Sequence, residues 1–200
     1  MKKLLLLSLL ASLPAAAQWR HFGDETRATG FFGVGVAAPV NPTARTLDTG
    51  WGFNGGIGVT RNYLGIMADF MFSDFGLNER LLRQVGAEHG SEKFWAITID
   101  PVFHVNQRGP VDFYVTGGGG LYGRISTLRA PGGFGGPFSG ADQVVASYTT
   151  YKPGVDGGAG FSFNIGYTNR VKMFVEARYH HMFTEGQGAS FVPVTVGVRF

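Results

Sequence analysis

An all-β fold, an eight-stranded antiparallel up-and-down transmembrane β-barrel, is predicted by three features of this 200-residue sequence. The first is period-two alternation in eight segments, seen most plainly at the end of the chain. There Val192, Val194, Val196, Val198 and Phe200 share one parity, and Pro193, Thr195, Gly197 and Arg199 share the other. Alternation of this kind belongs to a strand whose two faces meet different surroundings. The second feature is composition: 32 glycines and 14% aromatic residues are interleaved rather than segregated. That pairing of small and aromatic residues suits strands around a crowded barrel interior. The third is the pattern of connections, which alternate long and short.

Residues 1–17 read as a secretory signal peptide. Met1-Lys2-Lys3 supplies a basic start, Leu4–Leu10 a short apolar run, and Ala15-Ala16-Ala17 a small-residue cleavage site before Gln18. The apolar run is too short for a membrane helix, and no later run reaches that length, so any membrane crossing falls to strands. With no Cys, the chain has neither a disulfide framework nor a lipid-attachment thiol. A formal net charge of +3 without a basic run, together with export, excludes nucleic acid as a partner.

Residues 18–29 are polar and read as a periplasmic N-terminal segment, with the barrel domain covering 30–200. The first strand, Gly30–Ala38, sets Phe32, Val34 and Val36 against Gly33 and Gly35, and Pro39, Asn41 and Pro42 end it. The second, Gly50–Thr60, alternates Trp51, Phe53, Ile57 and Val59 with Gly52, Asn54, Gly56 and Gly58. After a tight connection at Arg61-Asn62, the third strand, Tyr63–Phe72, places Leu64, Ile66, Ala68, Phe70 and Phe72 opposite Gly65, Met67, Asp69 and Met71. In the long loop Ser73–Glu92, Leu77, Leu81, Leu82 and Val85 have the spacing of a short amphipathic helix.

The fourth strand is Lys93–Val105, with Trp95, Ile97, Ile99 and Phe103 opposite Thr98, Asp100 and His104; Pro101 predicts a bulge or bend. Asn106–Pro110 is a compact turn. The fifth strand, Val111–Arg124, sets Phe113, Val115 and Leu121 against Asp112, Tyr114, Thr116, Tyr122 and Arg124. Ile125–Val155 is the longest connection, Gly/Pro-rich over Pro131–Gly140 and strand-like over Val144–Tyr151, as if the hairpin continued beyond the membrane. The sixth strand is Asp156–Tyr167, with Thr168–Arg170 a tight turn, and the seventh is Val171–Phe183, where Val171, Met173, Val175, Ala177 and Tyr179 oppose Lys172, Phe174, Glu176, Arg178 and His180. Thr184–Ser190 leads into the last strand.

Short and long connections that alternate put both chain ends on the side of the short turns, which is the periplasm in a barrel of the bacterial outer membrane. The bulky parity is expected to face lipid, and a polar, glycine-rich parity to face the lumen, too small to pack as an oily core. Trp51, Trp95, Tyr167 and Tyr179 are placed for aromatic girdles. Taken together, the Ala15-Ala16-Ala17 site, the glycine–aromatic stretch Gly117–Tyr122 and the segment Pro193–Phe200 resemble those of the small outer-membrane barrels, the group of the OmpA transmembrane domain, OmpX and OmpW. The resemblance implies a location in the bacterial outer membrane, assembly by the barrel-assembly machinery with Phe200 as its signal, contact with outer-membrane lipid and lipopolysaccharide, a monomeric state, and extracellular ligands met through loops. With no peptidoglycan-binding domain after the last strand, wall anchoring is not expected.

No catalytic, cofactor-binding or metal-ligating set is expected. Gly117–Gly120 is followed by neither a helix pattern nor a Lys-Ser/Thr, so it is not a phosphate cradle. His180 and His181 are adjacent in a strand and point to opposite faces. A lipid A-modifying enzyme would need an activated nucleophile, but Met182 and Phe183 stand two residues beyond these histidines. The candidate site is instead a lumen ion network. Asp69, Asp100, Glu176 and Arg178 fall on the inward parity near mid-strand, with Arg199 lower in the same lumen. Such a network would plug the barrel, giving a protein of outer-membrane structure or surface interaction; the alternative is a passive channel for small or hydrophobic solutes.

Overall fold

In a computed structural model, the described residues are 26–79, 82, 89–106, 109–130, 143–165, 171–184 and 188–200. Eight strands follow one another around a closed antiparallel barrel. They are β1 (Thr26–Pro39), β2 (Gly50–Arg61), β3 (Leu64–Gly76), β4 (His89–His104), β5 (Val111–Ala130), β6 (Gln143–Ile165), β7 (Val171–Met182) and β8 (Ala189–Arg199). Each strand pairs with its chain neighbours, and β1 pairs with β8 to close the ring. The closure runs to the chain's end, where Gly30 N–H donates to Phe200 O at 2.8 Å and Phe200 N–H to Gly30 O at 2.9 Å.

The alternation read from the sequence sets the two faces of this wall. Asp69, Asp100, Glu176, Arg178 and Arg199 all turn inward and are buried. Ile57, Leu64, Ile66, Ile97 and Ile99 turn outward, each more than half exposed. The outward run Leu64–Phe72 on β3 matches the roughly 9–11 residues a strand needs to cross hydrocarbon. A continuous apolar belt around a barrel is far larger than the patches a water-soluble surface leaves open, and hydrocarbon is the surrounding that satisfies it. At one rim the belt ends in aromatic rings, with Trp51 against Phe72 at 6.0 Å and Trp95 against Tyr151 at 5.7 Å between centroids. Tyr179 lies at the same rim; Tyr167 is outside the described residues.

Several boundaries differ from the sequence reading. β1 starts at Thr26, so the last residues of the segment 18–29 are already strand. The first short turn is Asn62-Tyr63, since Arg61 pairs with Leu64, and Asn62 takes the positive φ of 54° that a tight hairpin requires. Pro101 makes no bulge: the β4–β5 register is the same on both sides of it. The pairing merely lapses at the missing N–H, and the Thr116 hydroxyl donates to Pro101 O at 3.2 Å instead. The one shift in the β5–β6 pairing lies at Leu128/Arg129. In the loop after β3, Leu77 bridges to Leu47 and stands ahead of the helix expected there: Glu79 and Leu82 are helical, and Leu82 N–H donates to Asn78 O at 3.1 Å, four residues back. Leu81, Val85, Pro131–Gly140, the turn Thr168–Arg170 and residues 1–25 lie outside the described residues.

β5 and β6 run past the ends read for them, and the strand-like stretch Val144–Tyr151 continues the hairpin as the sequence suggested. The belt ends at the rim where Gly123 pairs with Tyr151, yet the two strands stay paired as far as Ala130 and Gln143. Residues 124–130 of β5 carry the hairpin on the order of 20 Å along the strand beyond the belt. β4 follows part of the way, with His89 opposite Arg129.

Candidate functional site

Arg178 stands at the centre of the lumen, 6% exposed, among carboxylates from four strands. Its Nη1 donates to Asp69 Oδ2 on β3 at 2.8 Å and to Asp100 Oδ2 on β4 at 2.7 Å. Nε donates to Glu176 Oε1 at 2.9 Å, two residues away on the same face of β7. Asp156 of β6 completes the ring, its Oδ1 3.6 Å from Nη1. Asp100 reaches this point because Gly118 faces it from β5, where a Cβ would collide with Ile99 O and with the Asp100 carboxylate itself. The glycine run Gly117–Gly120 is thus a wall thinned to admit the cluster. Thr98 donates a further hydrogen bond to Asp100 Oδ2 at 2.9 Å.

Charge-assisted bonds of this length, made in a site closed to water, hold the guanidinium in one orientation. The cavity beside it, bordered by Gly35, Gly52, Asn54, Asp69, Thr98 and Thr195, has a volume of about 10 Å3. That is the lower limit for one water molecule.

Above the ions, toward the long connections, lies an apolar layer the sequence reading did not foresee. Phe75, Phe94 and Phe191 are fully buried and meet ring to ring at 5.1–5.7 Å. Met71, Met182, Tyr122 and Leu47 pack with them. Leu47 arrives from the connection after β1, which is tied across the barrel mouth where Ser190 N–H donates to Thr43 Oγ1 at 2.8 Å. Arg124 pairs with Glu92 and covers the Phe94 ring. Tyr122 and His180 join this layer to the ions: the tyrosine hydroxyl is 2.9 Å from His180 Nδ1 and 3.4 Å from Asp156 Oδ2, and the His180 ring stacks on Phe191 at 5.3 Å.

Below the ions a second layer comprises Phe31, Met67, Val102, Tyr114 and Phe174. Arg199 belongs to this layer and makes no ion pair with the acids around Arg178. Its guanidinium carbon lies 4.3 Å from the Tyr114 ring centroid and 5.6 Å from that of Phe174, a cation–π arrangement. Beneath it, His104 Nδ1 lies 2.5 Å from Asp112 Oδ2, and Asn106 N–H donates to Asp112 Oδ1 at 3.2 Å. The lumen is therefore stacked as aromatic, ionic, aromatic and polar layers, and the expectation of a purely small and polar interior fails.

Of the residues predicted for the network, Asp69, Asp100, Glu176 and Arg178 come together and Arg199 does not. Asp156 is a member that the sequence reading misses. It carries the inward parity, but a sixth strand beginning at that residue places it at an edge rather than mid-wall. The His180-His181 pair divides between faces as expected, and β7–β8 pairing sets His181 across from Ser190. The Ser190 hydroxyl lies 2.8 Å from His181 Nδ1 and accepts from Tyr179 OH at 2.9 Å. Ser190 is 2% exposed and its amide is already bonded to Thr43, so the trio ties two strands at the aromatic rim and presents no open nucleophile.

Phe200 turns outward with its ring packed over Gly30, whose missing Cβ leaves the room. Deleting Phe200 removes that packing and both terminal hydrogen bonds of the β1–β8 seam, so the folded, heat-modifiable form is expected to fall sharply on electrophoresis. Undiminished folded band in the shortened chain would show that the seam does not depend on it.

No family model matches the sequence, and no curated protein matches it by sequence. Solved structures do. A major outer membrane protein from Thermus thermophilus aligns with a TM-score of 0.57 at 9% identity, covering 86% of this chain and 98% of that one. Neisserial surface protein A aligns with a TM-score of 0.54 at 14% identity, covering 88% and 98%. Ail, the attachment invasion locus protein of Yersinia pestis, aligns with a TM-score of 0.51 at 19% identity, covering 89% and 100%. At such identities the likeness is one of fold, and it extends over nearly the whole of each of these proteins. The closed, all-antiparallel wall of eight strands described above is the fold of the small outer-membrane β-barrels.

Proposed function

We propose that this chain is an integral protein of the bacterial outer membrane whose lumen is closed and whose work is done outside, in surface interaction through the hairpin of β5 and β6. The observation that carries the reading is the length of that hairpin, paired strand for strand well past the apolar belt. A barrel needed only as a membrane plug gains nothing from a ribbon that leaves the membrane. The exposed Tyr148 on it is a residue type that buries large area at little conformational cost. Lipid and lipopolysaccharide surround the belt, the leader sequence exports the chain, the terminal strand with Phe200 addresses it to the barrel-assembly machinery, and one chain closes its own wall, so a monomer is complete. The reading carries no reaction and needs no cofactor.

Support for a closed lumen comes from the layered side chains and the small central void; a solute channel would need an open path through both aromatic layers. The test replaces residues 125–149, Tyr148 among them, by Asn-Gly, joining the register partners Arg124 and Thr150 through a two-residue turn. Cells displaying the shortened chain are expected to assemble it normally and to lose attachment to surfaces coated with protein or carbohydrate. Attachment equal to that of the full chain would remove the hairpin from the function, and steady unitary conductance of the full chain in planar bilayers would favour the channel instead.

A further inference from the structure

We propose that a groove on the outer face of the β2–β3 hairpin holds one glycerophospholipid of the periplasmic leaflet, its phosphate on Arg61 and its acyl chains on the wall above. The groove is bordered by Val59 and Arg61 at the end of β2, the turn Asn62-Tyr63, and Leu64 and Ile66 at the start of β3, and has a volume of about 450 Å3. That size lies within the ~300–1,000 Å3 of small-molecule sites, so a head group with the first methylenes of its chains can enter it. It opens at the end of the wall that carries the short turns, opposite the long hairpin of β5 and β6, which is the periplasmic end in the placement proposed above.

Strand parity puts Arg61 on the lipid-facing side. It continues the outward row of β2 that holds Ile57 and Val59, and its register partners are Thr26 on β1 and Leu64 on β3. Val59, Leu64 and Ile66 are each more than half exposed, so the groove runs into the apolar belt without a break. Among the described residues, Arg61 is the one charged side chain on the outward face at this end. The last outward residues of β4 to β8 are Phe103, Val111, Ile165, Val171 and Val198, all apolar, while Arg27, Lys172 and Arg199 carry the inward parity. The positive φ of Asn62 keeps the turn to two residues and so holds Arg61 and Tyr63 at one depth. A tyrosine ring suits the level where hydrocarbon gives way to head groups. The guanidinium fork matches a phosphodiester, and its five N–H donors let a phosphate share it with protein acceptors. Both halves of the ligand are needed. A free phosphate would leave the apolar walls facing water, and a chain without phosphate would give Arg61 no anion.

The test is native mass spectrometry of the full chain, refolded in a maltoside detergent that carries no phosphate and offered phosphatidylglycerol, phosphatidylethanolamine, diacylglycerol or inorganic phosphate. One phospholipid per chain is expected to survive release from the micelle, with diacylglycerol and inorganic phosphate each retained roughly fivefold less. Arg61 is exposed beside the turn, so Arg61→Gln is expected to fold and to lower phospholipid occupancy roughly fivefold. Arg61→Lys keeps the charge without the fork and is expected to fall between the two, which leaves a second variant if the first does not fold. Because the site rests on the membrane placement, a chain that forms no heat-modifiable band in micelles would sink the placement and the site together. The hairpin-shortened chain is expected to keep its lipid, so loss of attachment and loss of lipid are read separately. A folded chain that retains no phospholipid, diacylglycerol retained as well as phospholipid, inorganic phosphate held alone, or undiminished occupancy in Arg61→Gln would each overturn the groove as a phospholipid site.

Discussion

Replacing Arg178 by Ala is expected to lower the unfolding free energy of the barrel by about 3–5 kcal/mol, the usual cost of removing one partner from a buried charge cluster. The size follows from what is left behind. Arg178 is 6% exposed and holds Asp69, Asp100 and Glu176 by hydrogen bonds of 2.7–2.9 Å, so its loss leaves these acids and Asp156 facing one another with no protein cation among them. Urea titration of the refolded protein, followed by the intensity of the folded band, measures the loss. Combining Arg178→Ala with Asp100→Asn should cost less than the sum of the two single changes, because the second removes part of the repulsion created by the first. An unchanged urea midpoint in Arg178→Ala would mean that the acids are held apart by hydration, and the cluster would then have no structural role.

Period-two alternation was enough to put Asp69, Asp100, Glu176 and Arg178 on one side of the wall, because that pattern is a direct consequence of strand geometry. Height within the barrel was not available in the same way. Arg178 and Asp69 are 109 positions apart in the chain, and only the accumulated register of several strands brings them level. The same stagger carries Arg199 below them onto the ring of Tyr114, although its parity matches theirs.

Strand ends were misjudged where punctuation residues lie inside strands. Pro153 and Gly154 read as loop, yet they run through β6, with a glycine often placed where a large inward side chain arrives from the neighbouring strand. Tyr122 fills the space over Gly154, and Tyr114 the space over Gly160. That exchange of large for small across the wall is also why the aromatic layers escaped notice. Inward aromatic residues look isolated along the chain: on its own parity Phe174 stands between Lys172 and Glu176, and Phe94 between Glu92 and Ala96. They form a layer only once the barrel is closed. Phe75 was further hidden by lying past the expected end of the third strand at Phe72.

Phe191→Ala is expected to cost about 3–5 kcal/mol, as for a large ring removed from a tight core. Phe191 is fully buried and touches Phe75 at 5.4 Å, Phe94 at 5.1 Å and the His180 ring at 5.3 Å, so its removal takes the shared member out of the upper layer. The gap lies beneath the connection that carries Leu47, whose tie to Ser190 does not depend on Phe191 and limits collapse. The consequences for permeation follow from the stacking. Water and ions entering from the outer side of Phe191→Ala still meet the Arg178 cluster, and in Arg178→Ala they still meet three stacked rings. Each single variant is therefore expected to remain electrically silent in planar bilayers. The double variant is expected to pass ions as far as the lower layer, where Tyr114 and Phe174 close around Arg199, and to show brief, irregular openings as those rings move. Conductance steps in Arg178→Ala alone would show that the upper rings do not seal the lumen. Silence in the double variant would place the seal at Tyr114, Phe174 and Arg199, and Arg199→Ala added to the pair would then be the change that opens it.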